Sequence, residues 1–391
     1  MITLQKLNSD LYISLMKLNE ICEVYSGYAI KEFNNIKKGL PVIKIGNILT
    51  DGTLNLGECK FSTEDINEKY HSKKGDIYVA LSGATTGKLG IMEDEKKYII
   101  NQRVGIIRLK QKSVSQSYIK FFLLKQTERI IDEATGCAQP NISPKQIGEY
   151  DVPVFSEKEM LQISDILNNI VCVIKHYKAM IKKYDDLIKA RFIEMFGDPV
   201  SNSKHLPLKT LPQLGTFGRG VSKYRPRNAP ELLNGPYPLI QTGDIANSEL
   251  YIKNYNNTYS EVGLKQSKMW DKGTLCITIA ANIAKTAILQ FDACFPDSVV
   301  GFNGNNLTDN IFVHYWFSFF QEILENQAPE SAQKNINLKI LSELQIITPD
   351  IIEQNQFADF VRQVDKSREA VKKSLEKTQQ LYDSLMQEYF G

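Results

Sequence analysis

The stretch Ser82-Gly83-Ala-Thr-Thr-Gly87-Lys88-Leu89 is the part of this chain nearest to a phosphate-binding loop. Such a loop needs four residues between its glycines and a Ser or Thr after the lysine to hold magnesium. Here three residues intervene and Leu89 fills the last place, so the residues do not support nucleotide hydrolysis. A second loop of the same character, Ala281-Asn282-Ile-Ala284-Lys285-Thr286, has no glycine at all. What the two share is one lysine among small and polar residues after a strand-like run. That suits contact with a nucleic-acid phosphate, or a solvated turn. Other catalytic machinery lacks its parts. His71, His176, His205 and His314 are scattered, and none stands at metal-ligand spacing from a cysteine. No Gly-x-Ser-x-Gly elbow or nucleophile with triad partners occurs. Asp185-Asp186 read as a solvated helix face, and Pro296-Asp297 lacks the downstream Glu-x-Lys of a nuclease metal site.

Binding chemistry is better represented. Arg219, Lys223, Tyr224, Arg225 and Arg227 place cations and an aromatic on one loop, with Asn228 beside them. Tyr25, Tyr28, Lys31, Asn34, Asn35, Lys37 and Lys38 form a second such cluster. Lys and Arg neutralise phosphates, while Asn, Gln and Arg make paired hydrogen bonds to base edges. Thr85, Thr86, Lys88, Gln102, Arg103, Gln139, Asn141, Asn282, Lys285, Gln333, Lys334 and Asn335 complete the candidates for DNA contact. Taken singly, each also fits a polar loop or a helix cap.

The elements that must position these loops occur twice. Pro41-Val-Ile-Lys-Ile-Gly-Asn-Ile48 is answered by Pro238-Leu-Ile-Gln-Thr-Gly-Asp-Ile245, and Lys74-Gly75 by Lys272-Gly273. Ala138-Gln139-Pro-Asn141-Ile142 is answered by Ala332-Gln333-Lys-Asn335-Ile336. The offset drifts by only a few residues along the chain, so a whole domain has been copied once. Each half reads as α+β, with short β runs at 43–45, 77–81, 99–109 and 275–279. One helix is predicted near 117–134 and another near 310–326.

Each copy closes with a long helix. Ile163, Leu167, Ile170, Ile174, Tyr177, Ile181, Tyr184 and Ile188 step alternately by four and three, the seam of a supercoiled helix. One constant offset carries this series onto Phe357, Val361, Val364, Val371, Leu375, Tyr382 and later Tyr389, with Arg368 and Thr378 as polar interruptions and Leu385 continuing the step. Ser156 with Glu159, and Asp350 with Glu353, are capping boxes, and both helices end at Phe-Gly. The expected divisions are 1–155 and 198–349 for the globular domains, and 156–197 and 350–391 for the helices. With a short linker at 198–207, the second helix can pair with the first only by running back antiparallel. The expected architecture is two heads on an antiparallel coiled coil, related by a pseudo-twofold, with a seam roughly 50 Å long.

Composition sets the remaining bounds. The 391 residues are 24% charged and 42% hydrophobic, with net charge +2, ordinary for a globular protein. So mild a charge neither announces nor excludes a nucleic-acid binder. Six cysteines without Cys-x-x-Cys spacing read as reduced thiols. With no signal-peptide pattern and no long apolar run, a cytoplasmic protein with no membrane partner is expected.

The chain resembles the specificity subunit of type I restriction–modification enzymes. The domain-plus-helix duplication carries the resemblance, with Gly75-Asp-Ile-Tyr-Val79, Gly87-Lys88-Leu-Gly90, the two Ala-Gln-x-Asn-Ile segments and Phe196-Gly197-Asp198-Pro199. It implies two target-recognition domains, each reading half of a bipartite site in double-stranded DNA. It also implies two methyltransferase subunits and restriction/translocase subunits as partners. No cofactor is implied for this chain, because S-adenosylmethionine, ATP and magnesium belong to those partners, and no catalytic residue either. Ala284 and Ala287 depart from the glycine-rich lysine loop. A stand-alone restriction or modification enzyme is the competing class, although no Asn/Asp-Pro-Pro-aromatic motif or nuclease carboxylate cluster is present. A coiled-coil adaptor without a DNA role is the other.

Overall fold

A computed structural model describes residues 14–110, 114–134, 140–280, 283–327 and 336–391. It divides into two compact units, with boundaries inside both long helices. One holds the chain through Lys178 together with Lys373–Gly391, and the other holds Ala179–Lys372.

In the first unit the strands are β1 (Ser14–Lys17), β2 (Cys22–Ser26), β3 (Leu40–Ile43), β4 (Lys60–Ser62), β5 (Ile77–Ala80), β6 (Leu89–Ile91), β7 (Ile99–Ile100), β8 (Val104–Leu109) and β9 (Asp151–Val154). A main antiparallel sheet runs β2-β8-β5-β6, a small sheet runs β4-β3-β7, and β1 pairs with β9. Alternation along β5 explains the layering. Ile77 and Val79 face a core containing Tyr118, Phe121, Phe122, Ile163 and Leu167. Tyr78 and Ala80 face a second core with Ile106 of β8 and with Ile43 and Ile100 of the small sheet, the period-two signature of a sheet covered on both sides. The run 99–109, read as one strand, is two. Asn101 turns the chain from the small sheet to the main one, accepting from Val104 N at 2.9 Å. The helix expected over 117–134 is likewise two, Gln116–Lys125 and Thr127–Ala134.

The second unit repeats the plan. Its strands are β10 (Leu208–Lys209), β11 (Gly215–Arg219), β12 (Leu233–Leu239), β13 (Tyr251–Ile252), β14 (Asn257–Tyr259), β15 (Met269–Trp270), β16 (Leu275–Thr278), β17 (Thr286–Leu289), β18 (Ala293–Cys294), β19 (Val299–Gly304) and β20 (Ile346–Ile347). The main sheet runs β11-β19-β16-β17-β13 and the small one β14-β12-β18-β15. Strand order and direction therefore match those of the first unit, with β13 and β15 added at edges. Gly27 and Gly220 mark the same crossing point. A Cβ at Gly27 would lie 2.3 Å from Ile100 O, and one at Gly220 2.1 Å from Phe295 O, so neither position admits a side chain.

The long helices are Glu157–Phe196 and Ile351–Phe390, each of 40 residues. Ser156 and Glu159 close the expected capping box, Oε2 of Glu159 accepting from Ser156 N at 3.1 Å. Asp350 instead accepts from Ile352 N at 2.8 Å. Gly197 ends the first helix at φ +76, a left-handed residue of the kind that stops helices. Within the second unit the helices pair antiparallel. Phe192 meets Phe357 at 5.3 Å between ring centres, while Asp185, about two turns earlier on its helix, meets Arg368, about three turns later on the other, at 2.7 Å. In the first unit Ile163 and Leu167 share a core with Leu385, Met386 and Phe390. Ile163, Leu167, Ile174, Ile188, Val361, Val364 and Leu385 are buried; Ile170, Tyr177, Ile181, Tyr184, Val371, Leu375 and Tyr382 are half-buried. Arg368, an interruption in the sequence pattern, is 4% exposed and held by Asp185, Glu249 and Asp365. A buried guanidinium persists only where carboxylates surround it. Among the described residues no helix is long and apolar enough to cross a membrane.

Candidate nucleic-acid interface

In the first unit the chain leaves β2 at Ser26 and β5 at Ala80, and enters β6 at Leu89 and β8 at Val104. The pairings Ser26↔Gly105, Ala80↔Val104 and Val79↔Leu89 put all four points on one edge of the main sheet. Tyr28, Thr85, Thr86, Lys88, Gln102 and Arg103 are therefore brought together from three loops. Asn141 joins them through a bridge to Ser82. Ser26, Ser82, Gln102, Arg103, Asn141 and Ser143 line a depression of about 560 Å³ there. Gln102 and Arg103 are exposed, as are Lys31, Lys37 and Lys38 on the loop after Gly27. Asn34 shapes that loop, its amide bonding both the carbonyl and the N–H of Lys38. The Tyr28 ring packs on Tyr70, 5.4 Å between centres.

The 82–89 turn does not fit a phosphate cradle. Such a cradle aims free backbone amides at the anion. Here the N–H groups of Gly83, Thr86, Gly87 and Lys88 donate to the carbonyls of Pro140, Gly83, Ala80 and Thr85. Thr86 is buried, and its hydroxyl closes the turn on Gly83 O at 2.7 Å. Lys88 remains the group of this turn able to reach a phosphate.

The second unit presents the same edge. β11 ends at Arg219 and β16 at Thr278, while β17 starts at Thr286 and β19 at Val299, with Arg219↔Val300, Thr278↔Val299 and Ile277↔Thr286 in register. Lys285 lies at this edge in a turn built without glycine. Ala284 takes φ +58 where Gly87 takes +83. The turn therefore survives the loss of glycine, at a cost of about 1–2 kcal/mol for the left-handed alanine. Lys285 N donates to Thr278 Oγ1 at 3.1 Å. His314 stands behind, its Nδ1 2.9 Å from Thr286 Oγ1. Burial, and then the charge of Arg368, push its pKa down to about 4.

Arg219, Lys223, Tyr224, Arg225 and Arg227 are all exposed, but they are not equally free. Asp297 accepts from Arg227 at 2.5 Å and lies 3.7 Å from Arg225. The Arg225 guanidinium also donates to Ser222 O and Tyr224 O, and the Tyr224 hydroxyl donates to Glu231 at 2.8 Å. Asp297 was legible in the sequence only as an isolated carboxylate, because nothing local ties it to a loop some seventy residues earlier. Gln139, Asn282, Gln333, Lys334 and Asn335 lie outside the described residues. Among the described residues no group of three His, Cys, Asp or Glu side chains is placed to share a metal.

A sequence model of the type I restriction modification DNA specificity domain matches residues 13–183 and again 210–380. The chain belongs to this family. Two copies of the family's domain account for the doubled topology. The specificity subunit of the type I restriction enzyme EcoBI from Escherichia coli is 21% identical over 413 residues, covering 96% of this chain and 85% of that one. The MjaVIII specificity subunit from Methanocaldococcus jannaschii is 25% identical over 181 residues, 43% of this chain and 42% of that one. Among solved structures, a type I restriction–modification S subunit from M. genitalium superposes with a TM-score of 0.62 at 15% identity, covering 99% of this chain and 98% of that chain. A chain from work on complex assembly and conformational transition of the type I R-M system gives 0.61 at 14%, covering 98% and 99%. At such identities these structures speak for the fold alone.

Proposed function

We propose that the chain is the non-catalytic DNA-reading subunit of a cytoplasmic type I restriction–modification complex. Each unit reads one half of a bipartite duplex site with the loops at its sheet edge. Two methyltransferase subunits and the restriction/translocase subunits assemble on the chain and hold S-adenosylmethionine, ATP and magnesium. The observation that carries this reading is the pairing of one topology with two loop chemistries. The first edge offers Gln102, Arg103 and Asn141, whereas the second offers Arg219, Lys223 and the Arg225–Arg227 loop. Amides and arginines can read base edges, and lysines and arginines fix the register on phosphates. Two unlike edges suit two unlike half-sites.

The test is a gel shift of the chain with its methyltransferase subunit, using cognate duplex against random duplex. A complex that holds cognate DNA at least about a thousandfold more tightly than random DNA is expected, the range of sequence-specific binders. Equal retention of both duplexes defeats the reading. In equilibrium dialysis, S-adenosylmethionine should bind the assembled complex and not this chain alone.

A further inference from the structure

Both units hold the loop that follows the β2 or β11 edge with the same device, built from different residues. In the second unit, Oε1 of Gln266 accepts from two consecutive backbone amides, Lys223 N at 2.7 Å and Tyr224 N at 3.1 Å. In the first, Oε1 of Glu64 accepts from Lys31 N at 2.8 Å and Glu32 N at 2.9 Å. The clamped amides lie a few residues beyond the matching Gly27 and Gly220. The clamping oxygens come from the matching connections, after β4 and after β14. Neither contact is visible in the sequence, because the partners lie far apart in the chain and Glu and Gln do not look alike as a pair.

One acceptor shared by two adjacent N–H groups fixes two peptide planes at once. A second bond, from Ser267 Oγ to Val221 O at 2.8 Å, ties the same two loops together in the second unit. The residues so fixed are Lys223 and Tyr224, followed by Arg225, whose guanidinium folds back on Ser222 O and Tyr224 O. In the first unit they are Lys31 and the start of the loop bearing Lys37 and Lys38. Loops free to move lose discrimination, because a wrong base costs energy only when the reading group cannot relocate.

We propose that Gln266 and Glu64 are positioning residues for half-site reading. Each fixes, through two backbone amides, the loop with which its own unit meets DNA. This rests on the functional reading above. The pair also assigns a division of labour. Oxygen acceptance is the shared requirement, whereas the leftover group differs: a carboxylate oxygen in the first unit and an amide nitrogen in the second. Exchanging Gln for Glu, or Glu for Gln, therefore keeps the clamp, and alanine removes it.

The experiment is methylated-base mapping by single-molecule sequencing in a host expressing the chain with its methyltransferase subunit. Gln266→Ala is expected to relax one half of the methylated motif and leave the other half strict, and Glu64→Ala to do the converse. Gln266→Glu and Glu64→Gln should keep both halves strict, Gln266→Glu with weaker binding because it adds negative charge beside a cationic loop. Amide hydrogen exchange on the purified complex gives a second readout. Lys223 and Tyr224 should exchange at least tenfold faster in Gln266→Ala, while amides of β16 and β19 keep their protection. A strict motif in both alanine variants, or both halves relaxing together, overturns the proposal. So does unchanged exchange at Lys223 and Tyr224. A wild-type complex that methylates no bipartite motif overturns the functional reading itself, and the clamp proposal with it.

Discussion

The Arg225–Arg227 loop carries its own brake, and releasing it should tighten DNA binding. Asp297 pairs with Arg227 at 2.5 Å and approaches Arg225 at 3.7 Å, and all three side chains are more than a third exposed. An exposed pair of this kind stabilises the fold by about 0–1 kcal/mol. Asp297→Asn should therefore shift the melting midpoint by less than ~4 °C. Its effect on DNA is larger, because one carboxylate no longer competes with phosphate for the two guanidiniums. One further phosphate contact steepens the slope of log K against log salt by about 0.9, which corresponds to about fivefold tighter binding near 0.15 M salt. Phosphate contacts carry no sequence information, so random duplex should gain as much as cognate duplex. The assay is fluorescence anisotropy of the complex with labelled duplexes between about 0.05 and 0.3 M salt, the range where this term is resolved. A variant that melts normally with an unchanged slope, or binds less tightly, would refute the argument that Asp297 masks cations bound for phosphate.

Three other perturbations address the scaffold. Arg108 makes a two-pronged bond to Asp76, at 2.7 and 2.6 Å, with Asp76 almost fully buried. Arg108→Ala strands that carboxylate and should cost about 3–5 kcal/mol in urea unfolding, whereas Lys97→Ala, at an exposed 3.8 Å pair with Glu68, should cost less than ~0.5 kcal/mol. Buried Gln354 accepts from Thr308 and Asp309 N and donates to Leu307 O and Pro349 O. Gln354→Glu points a carboxylate oxygen at two carbonyls and should destabilise by about 2–4 kcal/mol at neutral pH, with the deficit shrinking as acid protonates the new side chain. His314 has a folded pKa near 4 against an ordinary value of 6.5, so the unfolded chain binds its proton first. Its contribution is complete above about pH 6.5 and lost as pH falls towards 4, with a slope of up to about 1.4 kcal/mol per unit. His314→Gln should flatten the stability profile between about pH 5 and 6.5, and an unchanged slope there contradicts the assignment.

Features that repeat along the chain were legible before any coordinates. The Ile163-to-Ile188 seam, its echo through Val361 and Val364, and the Ser156–Glu159 cap all depend on residues within a few positions of each other. The structure adds why glycine stands at both Gly27 and Gly220, since two backbone oxygens lie within 2.4 Å of any Cβ added at either. What sequence periodicity missed depends on distance along the chain. The break at Asn101 divides a β-rich run that reads as one strand, because β7 and β8 belong to different sheets. Arg368 looked like a flaw in the seam, yet Asp185 and Glu249 supply its counter-charges from remote segments. At the candidate interface, residue types identified the loops but not their internal bonds. Asp297, Glu64 and Gln266 each act on a loop by reaching across from another connection.

The central claim is that each unit reads its own half-site, and the most direct measurement is an exchange. Residues 1–155 are replaced by the corresponding segment of another member of the family, and methylated bases are mapped in a host carrying the methyltransferase subunit. The account predicts that one half of the methylated motif changes and the other half stays as it was. A motif altered in both halves, or in neither, would contradict it.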